Sequence, residues 1–465
     1  MAKLRGNSER GVGAGLVFIL LVLAAIFIGL IVKLGSRQAP DLAVPLPLKG
    51  LGQKSELVVQ ATDPNHNLKS LSLEVEQNGQ VLHQSNLVIS ERPRRWWKFW
   101  SKGIISTATW KVLVGREVIP SLKEGHATVR VTALNDSWGR FFRGGRTIMT
   151  LDLPVRFMPP QVAVLTTQHY INLGGCDMVL FTVSPGTTES GVQVGPYFFP
   201  SFPVKESMPF TRLALFAFPY NVDPGATARV VARDDAGNQS LANFTQRVFP
   251  KKFHSDTIPL TDDFMNRVVP PIMGQTPEMN DEGSLLKNFL EINGRLREID
   301  AQRLVELSQH TAPAFLWTEA FERLPSKTEA SFADYRTYTY NGQEVDHQTH
   351  LGFDLAGSEH MAVRAANDGV VIFAGFLGIY GNAVVIDHGV GVQSLYGHMS
   401  SISVKEGDHV KRRQEIGRSG QTGLAAGDHL HFTMLLDGVP VNPIEWWDAH
   451  WIHDRIQAKL EPYSK

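Results

Sequence analysis

The sequence predicts a mainly β protein with an N-terminal transmembrane helix, two immunoglobulin-like β-sandwich domains, a short helical segment and a C-terminal antiparallel β domain. Three observations support this prediction: one long uncharged run at the N-terminus, a series of short alternating strands that partly repeats, and a glycine-rich C-terminal region with clustered histidines. The 465 residues suffice for roughly three folded domains.

Composition excludes several classes of protein. With 45 Lys+Arg against 46 Asp+Glu, the formal net charge is −1, so no global basicity indicates a nucleic-acid partner and none is expected. Charged residues at 20% and hydrophobic residues at 43% exclude a largely disordered chain. The single cysteine, Cys176, excludes a disulfide framework and a cysteine-based structural zinc site.

The N-terminus is predicted to be a membrane anchor. Residues 11–32 form 22 consecutive positions without a charge, and a helix of that length measures about 33 Å, enough to cross a hydrocarbon core of about 30 Å. Lys3, Arg5 and Arg10 precede the run, which favours a cytoplasmic tail over residues 1–10 and export of the remainder. A cleaved signal peptide is the alternative, but the run exceeds the usual apolar stretch of about 7–15 residues.

Residues 45–156 and 157–250 are predicted to be the two β-sandwich domains. Segments such as Ser70–Glu76 alternate polar and apolar side chains with the period of a half-buried strand. The segment Ala127–Ala133 recurs as Ala226–Ala232, an offset of 99 residues, which is close to the ~100 residues of an immunoglobulin-like sandwich. Chance similarity between two short strands is the alternative.

One loop in the first of these domains has no assigned role. Arg92–Trp100, which includes Trp96 and Trp97, interleaves four aromatic residues with cations. This composition suits a bilayer interface or stacking against sugar rings, and it equally suits a loop that folds back into the sandwich core.

Residues 251–325 are predicted to form a helical linker or cap. Ser284 has the character of an N-cap, and apolar residues follow it at steps of three and four, which predicts one apolar helical face: Leu285, Phe289, Ile292, Leu296 and Ile299. Asn293–Gly294 is expected to break this helix. Such a stripe ordinarily packs against a neighbour; a sharper expectation is that residues 281–325 cover the C-terminal cleft and regulate access to it.

The chemistry is predicted to lie in residues 326–465. Three histidine clusters occur there: His350-Leu-Gly-Phe-Asp354, Leu395-Tyr-Gly-His398 and Asp428-His-Leu-His431. Between them, glycine-rich turns separate four predicted strands: Gly369–Phe373, Ala383–Asp387, Val392–Tyr396 and Leu430–Leu436. This pattern predicts a compact antiparallel β domain with little helix.

The spacing of the histidines indicates a metal site. Because residues i and i+2 of a strand share a face, His429 and His431 project side by side, so that one can hold a metal while the other acts on water. His350 and Asp354 add one nitrogen and one oxygen, which gives three protein ligands and an open position, the pattern of catalytic zinc. Zinc lowers the pKa of a water molecule that it binds from about 16 to about 7, and a nearby imidazole can accept and return the proton. His388 is the strongest rival ligand, although its place at the end of a strand suits it to hydrogen bonding.

From about Tyr338 to Trp451 the sequence resembles the lysostaphin-like zinc metallopeptidases, the M23 peptidases. Besides the three histidine clusters, the resemblance rests on Gly378-Ile-Tyr-Gly-Asn382 and Val385-Ile-Asp-His-Gly389. It implies a zinc endopeptidase that hydrolyses peptide bonds in bacterial peptidoglycan. By the same resemblance, the residues that would bind Zn²⁺ are His350, Asp354 and His431. The residues that would form the catalytic pair are His398 and His429. In some family members a tyrosine near the first ligand stabilises the transition state. Tyr340 is a candidate for this role, but its distance in sequence from His350 does not allow the role to be assigned to it.

Partners and location follow from the combination of anchor and resemblance. We expect a single-pass protein of the inner membrane whose catalytic domain lies in the periplasm and acts on peptidoglycan stem peptides or cross-bridges. A regulatory protein is a further candidate partner, and oligomeric state and the bond cleaved stay open.

Two other interpretations compete with this one. The segment Val404–Gly417 resembles biotinyl or lipoyl carrier domains, but no lysine stands in the usual setting for acylation and the histidines would be unexplained. A catalytically silent wall-binding activator or scaffold for other peptidoglycan hydrolases is the alternative function. The five filled positions argue against the relatives that have lost zinc.

Overall fold

The computed structural model describes residues 17–29, 39–64, 68–89, 106–135 and 145–463. Residues 17–29 are helical and exposed. Among the described residues, no helix has both the length and the apolar character needed to cross a membrane. The remaining positions of the expected anchor, 11–16 and 30–32, and the Trp96–Trp97 loop lie outside the described residues, so both expectations stay predictions.

The described chain is mainly β, as predicted, and it divides into two compact units. The first unit comprises Met1–Pro159 with Asp234–Asn238, and the second comprises Pro160–Arg233 with Gln239–Lys465. The domain boundaries expected from the sequence stay predictions.

The first unit contains a four-stranded and a three-stranded sheet. Its strands are β1 (Asp41–Ala43), β2 (Glu56–Thr62), β3 (Leu68–Gln77), β4 (Gln80–Val88), β5 (Thr107–Leu113), β6 (Gly125–Asn135) and β7 (Arg146–Val155). The strand orders are β1-β2-β5 and β4-β3-β6-β7. Alternate side chains of both sheets, such as Leu57 and Val59 on β2 and Leu71 and Leu73 on β3, enter one shared core. The unit is therefore a sandwich, with the immunoglobulin constant-domain order except that the fourth strand joins the other sheet.

The second unit begins with two four-stranded sheets. Its strands are β8 (Val162–Val164), β9 (His169–Asn172), β10 (Cys176–Val183), β11 (Thr187–Val194), β12 (Tyr197–Pro200), β13 (Phe202–Pro203), β14 (Thr211–Ala217), β15 (Arg229–Asp234), β16 (Gln239–Asn243) and β17 (Gln246–Phe249). The sheet orders are β13-β14-β10-β8 and β12-β11-β15-β16, and β9 pairs with β17 in parallel. Of the repeated segments, Ala127–Ala133 lies within β6, whereas Ala226–Ala232 only partly overlaps β15. That the repeat reflects two related domains stays a prediction.

Helices follow this sandwich: α1 (Asp262–Gln275), α2 (Leu285–Glu291) and α3 (Arg297–Ser308). Ser284 is the N-cap of α2, since its hydroxyl accepts a hydrogen bond from the Lys287 N–H. The predicted apolar face is buried at Phe289, Ile292 and Leu296. The break expected at Asn293–Gly294 was wrong: Ile292–Leu296 forms a π-helical turn that joins α2 to α3. The extra residue per turn accommodates these two poor helix formers without ending the helix.

The C-terminal part is built on one eight-stranded sheet. The strands of this part are β18 (Ser255–Pro259), β19 (Lys327–Ala330), β20 (Asp334–Tyr340), β21 (Gln343–His350), β22 (Phe353–Ala356), β23 (Ala362–Arg364), β24 (Gly369–Leu377), β25 (Gly381–Asp387), β26 (Val392–Gly397), β27 (Ser401–Ile402), β28 (His409–Val410), β29 (Glu415–Arg418), β30 (Leu430–Leu436) and β31 (Val439–Val441). The main sheet has the order β19-β22-β30-β26-β25-β24-β28, and β31 pairs with β30. Short helices close the chain: α4 (Pro443–Trp447), α5 (Ala449–Ile452) and α6 (Ala458–Leu460). All four strands predicted here are present and antiparallel to their neighbours.

Candidate metal centre

Three strands bring the expected metal ligands together. Asp354 on β22 and His431 on β30 are direct partners across the antiparallel pair. His350 is the last residue of β21, immediately before the turn that leads into β22. The His-x-x-x-Asp spacing therefore spans a strand end and a turn, and the long separation to His431 is closed by sheet pairing.

The ligand atoms of these three residues converge. His350 Nε2 lies 2.9 Å from Asp354 Oδ1 and 3.1 Å from His431 Nδ1. His431 Nδ1 lies 3.0 Å from the same carboxylate oxygen. The histidine side chains are 5% and 7% exposed and the aspartate side chain is 13% exposed, so the cluster is largely shielded from water.

The outer nitrogen of each histidine fixes the orientation of the ring. His350 Nδ1 is 3.0 Å from the Ser331 carbonyl oxygen, so this nitrogen carries the proton and donates it. His431 Nε2 is 2.9 Å from Thr433 Oγ1, whose own proton is donated to the Leu351 carbonyl oxygen. The hydroxyl therefore accepts from His431 Nε2. Both inner nitrogens, His350 Nε2 and His431 Nδ1, are left with lone pairs.

This donor set fits a zinc ion. Two nitrogen lone pairs and a carboxylate oxygen face one point. The two nitrogens lie 3.1 Å apart, but neither carries a proton, so they do not form a hydrogen bond with each other. Such mutually repelling acceptors are stabilised by a cation. Tetrahedral zinc ligands, each about 2.0–2.2 Å from the ion, lie roughly 3.3–3.5 Å from one another. The observed separations are slightly shorter, and two imidazoles with one carboxylate are ligands that zinc prefers.

His398 and His429 lie beside this group. Their ring centroids are 4.9 Å apart, and the His398 ring centroid is 5.7 Å from that of His431. His398 Nδ1 donates to the Thr422 carbonyl oxygen at 2.8 Å, and His429 Nδ1 donates to the Gly427 carbonyl oxygen at 2.9 Å. In the neutral rings each Nε2 is therefore unprotonated, and that of His429 lies 3.4 Å from Asp354 Oδ1.

The backbone at His398 is held in an unusual conformation. Its φ of +63° lies in the left-handed region, which is costly for a residue other than glycine. The His398 N–H donates to the Tyr380 carbonyl oxygen at 2.7 Å, and this bond together with the ring contact to Thr422 fixes the residue just beyond β26.

Burial and charge shift the pKa values of these groups in opposite directions. Burial by itself raises the pKa of Asp354, but the surrounding imidazoles of His350, His429 and His431 outweigh it and hold the pKa well below its usual range. Burial lowers the pKa of His431 to about 4 and that of His398 well below the ordinary value. Burial also acts to lower the pKa of His429, but the Asp354 carboxylate raises it overall. Of His398, His429 and His431, only His429 therefore has a raised pKa.

Several residues of the site were not identified from the sequence. The Arg336 guanidinium donates to Asp354 Oδ2 at 3.1 Å and so orients the ligand carboxylate. Thr433 stands two positions after His431 on the same strand face, and this spacing was a signal that could have been used. Gly352 is required because a Cβ there would lie 2.6 Å from His431 Nε2.

The remaining candidates lie elsewhere. Both ring nitrogens of His388 have hydrogen-bond partners away from the cluster: Nδ1 is 2.7 Å from the Asp368 carbonyl oxygen, and Nε2 is 2.7 Å from Ser394 Oγ. The Tyr340 hydroxyl donates to Asp262 on α1. The aromatic ring near the metal ligands is that of Tyr380, whose centroid lies 5.4 Å from that of His431.

A cavity of about 880 Å³ opens onto the five clustered residues. Its wall includes Phe289 on α2, Gly294 in the π turn and Arg297 on α3, so part of the 281–325 segment borders the cleft. That this segment regulates access stays a prediction.

Comparison with known proteins identifies the domain that carries the site. The family model described as Peptidase family M23 matches residues 348–443. Over 95 residues the chain is 46% identical to the DD-carboxypeptidase/endopeptidase Mpg of Neisseria meningitidis, covering 20% of this chain and 22% of that protein. It is 42% identical over 96 residues to the peptidoglycan DD-endopeptidase ShyA of Vibrio cholerae, covering 21% and 22%. It is 38% identical over 96 residues to the murein hydrolase activator NlpD of Salmonella dublin, covering 20% and 25%.

The chain thus spans about a fifth to a quarter of the length of these curated relatives. The matched segment contains His350, Asp354, His398, His429 and His431. Residues 348–443 form a domain of peptidase family M23, the lysostaphin-like family.

Proposed function

We propose that this protein is a zinc-dependent endopeptidase that hydrolyses the peptide cross-links of bacterial peptidoglycan. The observation that carries the proposal is the convergence of His350 Nε2, His431 Nδ1 and Asp354 Oδ1, each with its lone pair directed to one point. These three residues would hold the ion.

When bound, zinc would act as a Lewis acid on the peptide carbonyl and make a water molecule more acidic. The chain's own part is proton transfer and charge stabilisation. His398 and His429, each with Nδ1 bonded to a backbone carbonyl, present Nε2 as the atom that exchanges a proton with water and with the leaving amine. A protonated imidazole of this pair would also donate to the oxyanion of the tetrahedral intermediate.

The names of two relatives support the substrate. Mpg is a DD-carboxypeptidase/endopeptidase and ShyA is a peptidoglycan DD-endopeptidase. A D-alanyl–diaminopimelate cross-link is accordingly the bond that we propose in a Gram-negative cell.

Location is a further part of the proposal. The uncharged run at 11–32, preceded by a cationic tail, would anchor the protein in the inner membrane with the peptidase domain in the periplasm. Fractionation of cells that express the full chain, compared with a variant lacking residues 1–38, checks this point. Recovery of both proteins in the same fraction would contradict an anchoring role.

The experiment that tests the activity is incubation of the purified full chain with intact peptidoglycan, followed by mass analysis of the released peptides. We expect cleavage of cross-links, loss of cleavage with a chelator and recovery on addition of Zn²⁺. Absence of new peptide termini from a zinc-loaded, folded protein would contradict the proposal.

The activator is the second candidate, because NlpD, a murein hydrolase activator, is also a relative. An activator need not bind stoichiometric zinc or release peptides by itself. Metal analysis of the same preparation, together with an assay in which a wall amidase is added, separates the two functions.

A further inference from the structure

The cavity above the metal ligands extends beyond the peptidase domain. Besides the clustered histidines, its wall includes Tyr220 from the preceding sandwich and Gly294 and Arg297 from the helical segment. A peptide bound across the histidines would therefore meet side chains from outside residues 348–443.

The π turn at Ile292–Leu296 positions one of these side chains. Asn293 is fully buried, and its Nδ2 donates to Asp346 Oδ2 at 2.7 Å, which fixes the amide with its oxygen facing Arg297. Arg297 Nε and Nη2 both donate to that oxygen, at 3.0 and 2.9 Å. π turns often occur at functional sites. This one places Arg297 at the cavity wall, with its guanidinium held by the Asn293 amide.

The guanidinium has unused hydrogen-bonding capacity. Of the five N–H groups of an arginine, two donate to Asn293. Among the described residues, Arg297 has no other hydrogen-bond acceptor and no ion-pair partner, whereas Arg336, which also lines the cavity, is paired with Asp354. The Arg297 charge acts on Asp300, but that carboxylate accepts from the Ile379 N–H at 2.8 Å.

We propose that Arg297 binds a free carboxylate of the peptide substrate. The inference rests on the proposed function and adds a substrate class to it: anionic peptides, recognised by a residue that lies outside the peptidase domain. Guanidinium groups bind carboxylates with paired N–H donors, and Asn293 restricts the orientation of this one before substrate arrives.

The test compares two probes that differ only in charge. One is a cross-linked stem-peptide dimer with its carboxylates free, and the other is the same dimer with those carboxylates converted to primary amides. Calorimetry measures binding of each to the zinc-loaded full chain in a His398→Ala background, which prevents turnover. We expect a preference for the free acid of about 10- to 100-fold.

Arg297→Gln should abolish this preference, and Arg297→Lys should retain only part of it because an ammonium lacks the forked donor geometry. Arg295→Gln is the matched control, since Arg295 is exposed on the same turn and is not part of the cavity wall. Equal binding of both probes by the parent protein, or an unchanged preference in Arg297→Gln with a native unfolding temperature, would overturn the inference. Should charge discrimination occur while the wild type cleaves neither probe, the carboxylate site stands and the proposed hydrolysis fails.

Discussion

The C-terminal part of the molecule contains two buried histidine environments, which differ in the hydrogen-bond partners of the ring nitrogens. His388 is fully buried and has both ring nitrogens satisfied, by the Asp368 carbonyl and by Ser394 Oγ, which is itself bonded to Tyr396. His350 and His431 each have only the outer nitrogen satisfied in this way, while their inner nitrogens face each other and Asp354. The first environment is complete without an ion, whereas the second would be stabilised by one.

The comparison shows that burial alone does not identify a ligand. The pKa of His388 and that of His431 are both lowered to about 4, with burial as the largest cause in each. What distinguishes the two residues is the partner at the second nitrogen: a hydroxyl for His388, and another acceptor for His431. Five substitutions test this assignment.

The largest effect is expected from His431→Ala. Removal of a ligand leaves two protein donors, so zinc affinity should fall by more than about 100-fold and hydrolysis should be lost. Metal analysis after dialysis and the peptidoglycan assay provide the measurements. Retention of one zinc per chain in a folded His431→Ala protein would show that the ion is held elsewhere.

His398→Ala is expected to separate catalysis from metal binding. Hydrolysis should fall by about 10²–10⁴-fold, because a proton-transfer group is removed. Zinc content should stay near that of the wild type, because His398 is not among the three converging ligands. A parallel loss of metal would refute the assignment of this residue to the catalytic pair.

A matched pair of hydroxyl removals sharpens the comparison. Thr433→Val deprives His431 Nε2 of its acceptor and should weaken zinc binding by about 10–100-fold. Ser394→Ala removes the hydroxyl that His388 Nε2 contacts and should leave zinc affinity unchanged. Competition with a chromogenic chelator measures both, and similar affinities in the two variants would remove the distinction.

The smallest effect on activity is expected from His388→Asn, which should alter stability instead. Because the folded-state pKa of His388 is about 4, below the usual 6.5, the unfolded chain binds more protons between these values. The stability contributed by the neutral His388 ring is therefore fully present above pH 6.5. It is lost as the pH falls to 4, which lowers the free energy of unfolding by about 3 kcal/mol, at about 1.4 kcal/mol per pH unit. Denaturant unfolding across this range should give a flatter curve for His388→Asn than for the wild type, and parallel curves would show that His388 is not buried as a neutral ring.

The predictable part of the molecule is the part encoded by local periodicity and spacing. The strands that carry His431 and precede His398 were predicted because alternating apolar residues and glycine turns are local signals. The convergence of His350, Asp354 and His431 was expected from the motif spacing together with the family resemblance, and the geometry agrees.

The unpredicted part depends on contacts between distant segments. Arg336 reaches Asp354 only because β20 pairs with β21 and turns its side chain towards the ligand. The π turn was missed because Asn293 and Gly294 have low helix propensity, whereas the partly buried hydrogen bond from Asn293 to Asp346 stabilises the helical path. No pattern in the sequence specifies either pairing.

The supports of His350 have a practical consequence for protein engineering. Ser331 and Arg336 orient the first ligand and the ligand carboxylate, and both precede the segment 348–443 that carries the family signature. A graft joined at position 348 would cut β21 and discard β20 with the arginine it bears. The smallest transplantable module that keeps these two contacts therefore begins no later than Ser331, directly after β19.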